Sequence, residues 1–255
     1  METVLDKGFV RLVDHMPRED LDSSIVQSAR VSYGDGTKTK RGDEGLIRYL
    51  MRHWHTTPFE MVEFKFHIKM PIYIARQHMR HRTASINELS ARYSVVPHEY
   101  YAPDILRGQA TVNHQGSEGI CEASMSDMQT HIEKSFEVYD SLLNDGCCRE
   151  QARGVLPQTT YTEFYWKINL HNLMHYLHLR MDEHAQLEIR KYAIAIFDLV
   201  KPLAPITMKA FVDFRVNAIC LSGPEIEAIA NGTLIDSVGE RREFEGKKKM
   251  VGLIK

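Results

Sequence analysis

The chain has 255 residues, 26% of them charged, and a formal net charge of −2 at pH 7. That length suffices for a sizeable core, and the near-zero charge argues against a chain that binds polyanions with its whole surface. No segment approaches the roughly 18 apolar residues of a membrane span, and the acidic N-terminus METVLDKGFV does not resemble a signal peptide.

The cysteines give a further indication of the compartment. Cys147 and Cys148 are adjacent, while Cys121 and Cys220 stand alone. Together they form neither a metal-binding spacing nor an evident disulfide framework, which fits a reducing environment. We therefore expect a cytoplasmic protein that binds neither nucleic acid nor a membrane.

The first predicted elements alternate between strand and helix. Residues 8–13 are expected to form a short strand, and residues 43–53 a helix with one apolar face. Apolar and polar side chains alternate over residues 62–69, which is typical of a half-buried strand. Pro71 suits the first turn of a helix that continues to Met79.

The later part of the chain continues this mixture. Residues 102–120 are rich in Gly, Gln, Asn and Ser and predict a surface loop, and a helix is expected over residues 124–143. A second alternating stretch at residues 160–168 predicts a strand that leads into a helix ending near Arg180. Another helix is predicted over residues 185–200.

The order of these elements indicates the fold class. The sequence has no regular βαβ rhythm, GxGxxG loop or P-loop, so we predict an α+β fold with a mainly antiparallel central sheet flanked by helices. No linker divides the chain, and we assign residues 1–217 to one domain. Residues 218–255, which include the charged run ERREFEGKKK, are expected to be a C-terminal extension with a frayed tail.

The most informative stretch is RHRTASINELSARY at residues 80–93. Arg80, Arg82 and Arg92 lie within it, and Arg76 precedes it by one helical turn. Guanidinium groups match planar carboxylates and phosphates, so this density of arginine predicts an anion site. If the segment is extended, Glu88 and Ser90 point to the same side as Arg92. An acceptor, a hydroxyl and a cation on one face are suited to a nucleotide.

The same stretch resembles the signature RHRxxSxNExSxRY of the flavin-dependent thymidylate synthases at every fixed position. Upstream, residues 55–60 read HTTPFE and resemble the family segment H-x-[ST]-P-F-E. Downstream, Arg153, the Leu-Pro pair at 156–157, Asn169 and residues 179–189 also match. The resemblance covers roughly residues 8–215, in the expected order, and a motif of this length is far more specific than a lone glycine loop.

The resemblance implies a fold and a reaction. It implies a mainly antiparallel sheet in a homotetramer with active sites at subunit junctions. It also implies reductive methylation of dUMP to dTMP, with 5,10-methylenetetrahydrofolate as carbon donor, FAD reduced by NADPH, and tetrahydrofolate released. No enzyme nucleophile is expected; instead, Arg180 is the implied catalytic residue, which engages the pyrimidine and makes its C5 nucleophilic.

The resemblance also implies two sets of ligand contacts. For dUMP, the matched positions are Gln77, His78, Met79, Arg80, Glu88, Leu89, Ser90, Ala91, Arg92, Arg153 and Arg180. For FAD, they are Thr57, Arg80, His81, Arg82, Glu88, Asn169, Leu170, His171 and His175. His171 and His175 stand where family members often carry Arg and Asn. His55 matches a residue near the flavin ring, and Tyr93 is expected to pack beside it.

Simpler interpretations compete for two of these residues. Arg180 would also be expected at the C-terminal end of an amphipathic helix without any role in catalysis, because the helix dipole stabilises a cation there. Ser90 invites a nucleophile interpretation, but no GxSxG elbow is present, and we expect its hydroxyl to donate to the nucleotide.

Two other functions are compatible with parts of the sequence. His171, His175 and His178 would share one helix face, as zinc ligands in a hydrolase do, but no HExxH motif accompanies them and we predict no metal site. The arginines with Tyr93 and the pair Tyr100–Tyr101 would suit an RNA-binding module. Such a module needs a broad basic surface, which the net charge does not support.

Overall fold

The computed structural model of the protein describes residues 1–32, 42–111 and 116–252. It divides into two compact units, Met1–Phe211 and Val212–Lys255. Our assignment of residues 1–217 to one functional domain stays a prediction, because compactness does not test it. Within the described part of the chain, no helix has the length and apolar character that crossing a bilayer requires.

A five-stranded sheet forms the centre of the first unit. In chain order the strands of this unit are β1 (Glu2–Val4), β2 (Gly8–Met16), β3 (Glu63–Pro71), β4 (Ser85–Glu88), β5 (Gly108–Gln109), β6 (Ser117–Glu118) and β7 (Tyr161–Asn169). The main sheet has the order β1-β2-β3-β7-β4 and every neighbouring pair in it is antiparallel. The prediction of an antiparallel central sheet with helices is confirmed.

The pair β3 and β7 shows why the sequence folds this way. Phe66 lies opposite Trp166 in the register, and both side chains are fully buried. Lys65 and Tyr165, one residue away on each strand, are exposed. Because successive side chains of a strand point to opposite faces, the alternation in sequence becomes one apolar and one polar face. Burying each large apolar side chain contributes about 1.5–3 kcal/mol.

Helices cover this sheet and form all of the second unit's regular structure. In the first unit they are α1 (Leu21–Arg30), α2 (Asp43–Arg52), α3 (Thr57–Glu60), α4 (Ile72–His78), α5 (Met125–Asn144), α6 (Arg149–Ala152), α7 (Leu170–Arg180), α8 (Leu187–Val200) and α9 (Pro205–Phe211). In the second they are α10 (Gly223–Asn231) and α11 (Val238–Met250), after a short π-helix at Val212–Val216.

Helices α1 and α9 are joined by a buried carboxylate that sequence patterning did not predict. Asp22 accepts hydrogen bonds from the backbone N–H groups of Ile206 and Thr207 at 2.9 and 3.0 Å, and from the Thr207 hydroxyl at 2.6 Å. These bonds supply partners for the first N–H groups of α9, which have none within the helix. Asp22 therefore caps a helix that lies near the opposite end of this unit in the sequence.

One prediction about an irregular segment was wrong, and another holds except for a short strand pair. The expected frayed tail instead contains α10 and α11; α10 begins with a capping box in which Ser222 and Glu225 exchange hydrogen bonds. Glu225 also pairs with Lys247 of α11 at 2.8 Å, so the two helices support each other. The predicted loop at residues 102–120 contains the antiparallel pair β5–β6; residues 112–115 lie outside the described part.

Candidate active site

Helices α4 and α7 bring the two halves of the site together. Each follows its strand without a loop, α4 after β3 and α7 after β7. Because Pro71 pairs with Tyr161 and Glu63 with Asn169, the two helices start at opposite ends of the strand pair. They converge over its buried face.

The meeting point is a buried group of rings, the aromatic cluster, formed by His78, Phe164, Trp166 and Tyr176. The His78 imidazole lies 4.2 Å from the Trp166 ring and 5.4 Å from that of Phe164, measured between centroids. Its Nδ1 is 3.1 Å from the Tyr176 hydroxyl. Burial, with a smaller contribution from His81 and Arg180, lowers the pKa of His78 to about 3. His78 is therefore a neutral core residue.

Burial limits how two of the predicted ligand contacts could form. The side chains of His78 and Leu170 are fully enclosed. The contacts predicted at these two positions stay predictions, and the burial favours backbone atoms over side chains for them. The sequence pattern did not reveal this, because a motif match assigns positions and not the direction of side chains.

Arg180 and His81 form the polar edge of the cluster. Arg180 Nε donates to His81 Nε2 at 3.0 Å. Burial, then the charge of Arg180 and the nearness of His175, lower the pKa of His81 to about 4. The imidazole is therefore neutral and accepts at Nε2, which leaves its proton on Nδ1. The guanidinium is held in one orientation by a ring that is itself packed 4.8 Å from the Tyr176 ring.

This geometry bears on the two interpretations of Arg180. The residue is the last of α7, as the helix-end interpretation requires. Among the described residues, however, its side-chain hydrogen bond goes to His81, and none joins it to the last carbonyls of its own helix. With Nε occupied, the two Nη groups form a planar fork that remains available for a ligand.

Three arginines next to this edge, Arg76, Arg80 and Arg82, form the arginine group. All three are exposed, and within the described ranges none lies within ion-pairing distance of a carboxylate. Arg80 follows the end of α4 in a turn, where its N–H bonds the Gln77 carbonyl at 3.2 Å, and Arg82 lies in an irregular segment. The two are therefore not neighbours on one helix.

The extended form expected for the signature holds only for its middle. β4 pairs with β7 over Ser85–Glu88, and the carboxylate of Glu88 also accepts from the Thr162 hydroxyl at 2.6 Å. The chain then turns, with the N–H groups of Tyr93 and Ser94 bonded to the Ser90 carbonyl at 3.0 and 3.2 Å. The expected common face of Glu88, Ser90 and Arg92 is wrong, because the serine hydroxyl accepts from the Arg92 N–H and favours a turn.

A second group of site residues surrounds this turn. Arg92 pairs with the Glu150 carboxylate at 3.2 Å, and Arg153 Nε donates to the Glu150 carbonyl at 3.4 Å. A cavity of about 550 Å³ lies beside them; its lining is Arg92, Tyr93, Val95, Leu143, Gly146, Cys147, Cys148, Arg149 and Glu150. The fold thus brings Arg92 and Arg153 together around one acidic residue.

Other predicted contacts are placed separately. Thr57 begins the short helix α3, and Asn169 caps α7 by accepting from the Asn172 N–H at 2.9 Å. Among the described residues, the rings near His55 are Tyr49 at 5.7 Å and His53 at 6.4 Å. Tyr93 is 77% exposed, and its expected packing beside His55 is not formed within one chain.

Four residues of the site region were not predicted as a connected set: Gln77, Gln186, Glu188 and Arg107. The amide of Gln77 donates to that of Gln186, which donates to the buried carboxylate of Glu188 at 2.9 Å. Arg107 completes the chain with a 2.6 Å bond to the same carboxylate. Gln186 and Glu188 lie within a matched block, but no local pattern signals a bond to residue 107.

The structure supports neither competing function. Within the described ranges, no group of three or more His, Cys, Asp or Glu side chains could hold a metal ion. Tyr101 is buried, and the Tyr100 hydroxyl donates to Glu133 at 3.1 Å while Lys7 lies over its ring. Two of the three tyrosines proposed to stack on RNA are therefore occupied within the protein.

Comparison with known proteins agrees with the motif. The family model described as "Thymidylate synthase complementing protein" matches residues 11–206. A flavin-dependent thymidylate synthase of Dictyostelium discoideum is 51% identical over 261 residues, covering 97% of this chain and 86% of that protein. One from Thermus thermophilus is 52% identical over 240 residues, covering 93% of this chain and 87% of its own length.

A solved structure extends the comparison to three dimensions. The UMP/dUMP methylase PolB from Streptomyces cacaoi, bound with 5-Br dUMP, superposes with a TM-score of 0.74. It is 35% identical in sequence and covers 84% of this chain and 98% of its own. The alignment to the Dictyostelium protein reaches beyond residue 217, so similarity is not confined to the range over which the motifs were expected.

Proposed function

The chain belongs to the flavin-dependent thymidylate synthases, and we propose that it converts dUMP to dTMP with 5,10-methylenetetrahydrofolate as the carbon donor. In this proposal NADPH is the reductant, tetrahydrofolate is the second product, and FAD is the flavin. The observation that carries the proposal is the fixed guanidinium of Arg180, held by His81 beside an arginine group that has no acidic partner among the described residues.

Arg180 is the proposed catalytic residue. Its Nη fork faces away from the bond to His81 and suits the planar imide edge of a pyrimidine. A permanent positive charge there stabilises the negative charge that develops when N3 loses its proton, and the electron-rich ring then becomes nucleophilic at C5. His81 contributes by remaining neutral, since a protonated ring would repel the guanidinium instead of accepting from it.

Phosphate binding is proposed for the arginines of the signature. Arg80 is exposed and without an acidic partner in the described part of the chain, and Arg92 and Arg153 both lie beside Glu150. A phosphate accepts bidentate hydrogen bonds from such groups. The Ser90 turn adds a hydroxyl and N–H groups, and because no base contacts Ser90 among the described residues, it binds and does not attack.

The residues present fit a flavin dinucleotide. Arg82 and Arg80 are exposed and offer positive charge for its phosphates, and the His175 ring lies exposed 5.9 Å from that of His81. Asn169 uses its side-chain oxygen as a helix cap, which leaves its amide N–H groups for a ligand. Bound FAD supplies the redox chemistry that completes the methyl group, whereas the protein supplies position and charge.

We also propose a homotetramer with sites shared between subunits. The signature turn and the arginine group are largely exposed on a single chain, and His55 and Tyr93 do not meet within it. A dihedral tetramer would let one signature segment border two sites. Two inactive variants, one in Arg180 and one in His55, would then partly restore activity when they are mixed and reassembled.

The reaction is tested by product analysis. Purified protein loaded with FAD is incubated with dUMP, methylenetetrahydrofolate and NADPH, and dTMP is measured by mass spectrometry. We expect dTMP only when all three substrates and the flavin are present, and Cys148→Ser should form it at a rate close to wild type. Loss of product in Cys148→Ser, or product without flavin, would contradict the proposal.

A further inference from the structure

Three side chains link a residue of the proposed dUMP site to a buried charge. Gln77 Nε2 donates to Gln186 Oε1, and Gln186 Nε2 donates to Glu188 Oε2 at 2.9 Å. The other carboxylate oxygen accepts from Arg107 Nη2 at 2.6 Å. We call Gln77, Gln186 and Glu188 the amide relay. It connects the end of α4 to the start of α8.

The carboxylate sets the direction of every bond in this relay. The Glu188 side chain is only 2% exposed. Burial raises its pKa, but the hydrogen bonds from Arg107 and Gln186 outweigh that effect and hold the pKa below its usual value. An ionised carboxylate can only accept hydrogen bonds. Gln186 must therefore turn its NH₂ group towards Glu188, and this places its oxygen towards Gln77.

The same constraint passes to Gln77. Because Gln186 presents an oxygen, Gln77 must donate with its own NH₂ group, and its carbonyl oxygen is directed elsewhere. Among the described residues, no hydrogen bond to Gln77 Oε1 is formed. Gln77 is half-buried, lies beside His78 in α4, and its backbone carbonyl holds the turn that carries Arg80. An acceptor oxygen is thus presented at the edge of the site.

We propose that Glu188 is a positioning residue of the nucleotide site, which acts through Gln186 to fix the carbonyl oxygen of Gln77 towards the ligand. The proposal rests on the proposed function, in which Gln77 contacts dUMP. It specifies a ligand that offers a hydrogen-bond donor to Gln77, and in dUMP the donors are the ring imide N–H and the sugar hydroxyl. Without Glu188, either amide can rotate and present the wrong group.

A simpler role for Glu188 is to anchor the segment that carries Arg107. The two roles differ in what Gln186 does. If Glu188 only anchors Arg107, Gln186→Met leaves the ion pair intact and leaves dUMP binding unchanged. If the relay operates, Gln186→Met releases Gln77 in the same way as Glu188→Gln.

A double-mutant cycle tests the relay. The dissociation constant for dUMP is measured by titration calorimetry on flavin-loaded wild type, Glu188→Gln, Gln186→Met, Gln77→Met and the two doubles that contain Gln77→Met. We expect Glu188→Gln and Gln186→Met each to weaken dUMP about tenfold, with kcat within about threefold of wild type, because one hydrogen bond to substrate is misdirected. In the Gln77→Met background, both effects should fall below about twofold.

The alternative results of this cycle each contradict a specific claim about the relay or the proposed function. Equal affinities of wild type, Glu188→Gln and Gln186→Met would overturn the relay, and so would effects that persist undiminished in the Gln77→Met background. If Glu188→Gln does not fold, Gln186→Met with its double decides the question alone. A wild-type protein that binds no dUMP would overturn the proposed function, and this inference with it.

Discussion

Helix α4 carries two kinds of basic side chain, a histidine and an arginine, and their environments are opposite. His78 points into the aromatic cluster, where burial keeps it neutral and the Tyr176 hydroxyl bonds it. Arg76, on the exposed side, belongs to the arginine group, which keeps its full charge without an acidic partner among the described residues. Between them, Arg180 keeps its charge but is oriented by a neutral ring.

This contrast separates what the fold needs from what a ligand needs. A buried charge without a partner costs several kcal/mol, so the interior excludes it by keeping His78 neutral. Surface positive charge costs little to fold, but clustered like charges still repel unless something neutralises them. We infer that anionic ligands, and not acidic side chains, fill that role at the arginine group.

The largest expected effect comes from the oriented charge. Arg180→Lys keeps the charge but removes the planar fork, so turnover should fall by at least about 100-fold while flavin content stays near that of wild type. Steady-state rates and the ratio of flavin to protein check this. Arg190→Lys is the matched control, since Arg190 bonds only the Glu183 carbonyl among the described residues. Equal rates in wild type and Arg180→Lys would mean that Arg180 is a helix-end cation.

Ser90 should show the next largest effect, on binding. Ser90→Ala removes one hydrogen bond to a charged phosphate, which is worth about 1.5–3 kcal/mol, or roughly 10- to 150-fold in the dUMP dissociation constant. Methyl transfer should persist at saturating dUMP. Ser94→Ala, in the same turn, should bind dUMP normally. A covalent adduct of Ser90 with substrate in mass spectra would instead identify a nucleophile.

The aromatic cluster should respond through stability and not through chemistry. Tyr176→Phe leaves the buried Nδ1 of His78 without its partner, and this costs about 1–3 kcal/mol in the free energy of unfolding. Urea denaturation measures the loss. Tyr93→Phe provides the control because that ring is 77% exposed. Equal losses in both variants would show that the buried hydrogen bond contributes nothing.

The smallest expected effect is a change in pH dependence. Unfolded His81 binds a proton below about pH 6.5, whereas in the folded protein its pKa is about 4. The unfolded state therefore holds more protons in that window, and stability falls as the pH is lowered from 6.5 to 4. His81→Gln should reduce this slope by up to about one proton relative to wild type, as measured by unfolding at a series of pH values. Identical slopes in the two proteins would contradict a neutral, half-buried His81.

Much of this fold was predictable because the sequence patterns that specify its strands and helices are local. β3 and β7 were predicted because their apolar residues alternate, and the sheet direction followed from the lack of a βαβ rhythm. Helix α1 was missed although its signals are local, since Asp20 caps it and Leu21, Ile25, Val26 and Ala29 form a buried apolar face. The contact of Asp22 with residues 206 and 207 could not be predicted, because no local pattern reveals it. The turn at Ser90 was missed because a side-chain bond to the backbone overrides an alternating pattern.

For the site, the sequence predicted residues but not their contacts. The motif predicts which arginines bind ligands, but it did not reveal that Arg180 bonds His81 or that His78 faces the core. The amide relay joins residues 77, 186 and 188 to residue 107, so it requires the packed fold before it can be seen. The motif thus predicts which residues belong to the site, whereas their protonation and orientation follow from packing.

The most direct test of the central claim is a flavin titration followed by visible absorbance. The claim is that the arginine group is left without acids because FAD and dUMP neutralise it. Wild-type protein should be yellow or take up FAD stoichiometrically, and Arg82→Gln should bind it more weakly while remaining folded. A folded, colourless wild-type protein that takes up no FAD, or one whose FAD affinity is unchanged by Arg82→Gln, would contradict the claim.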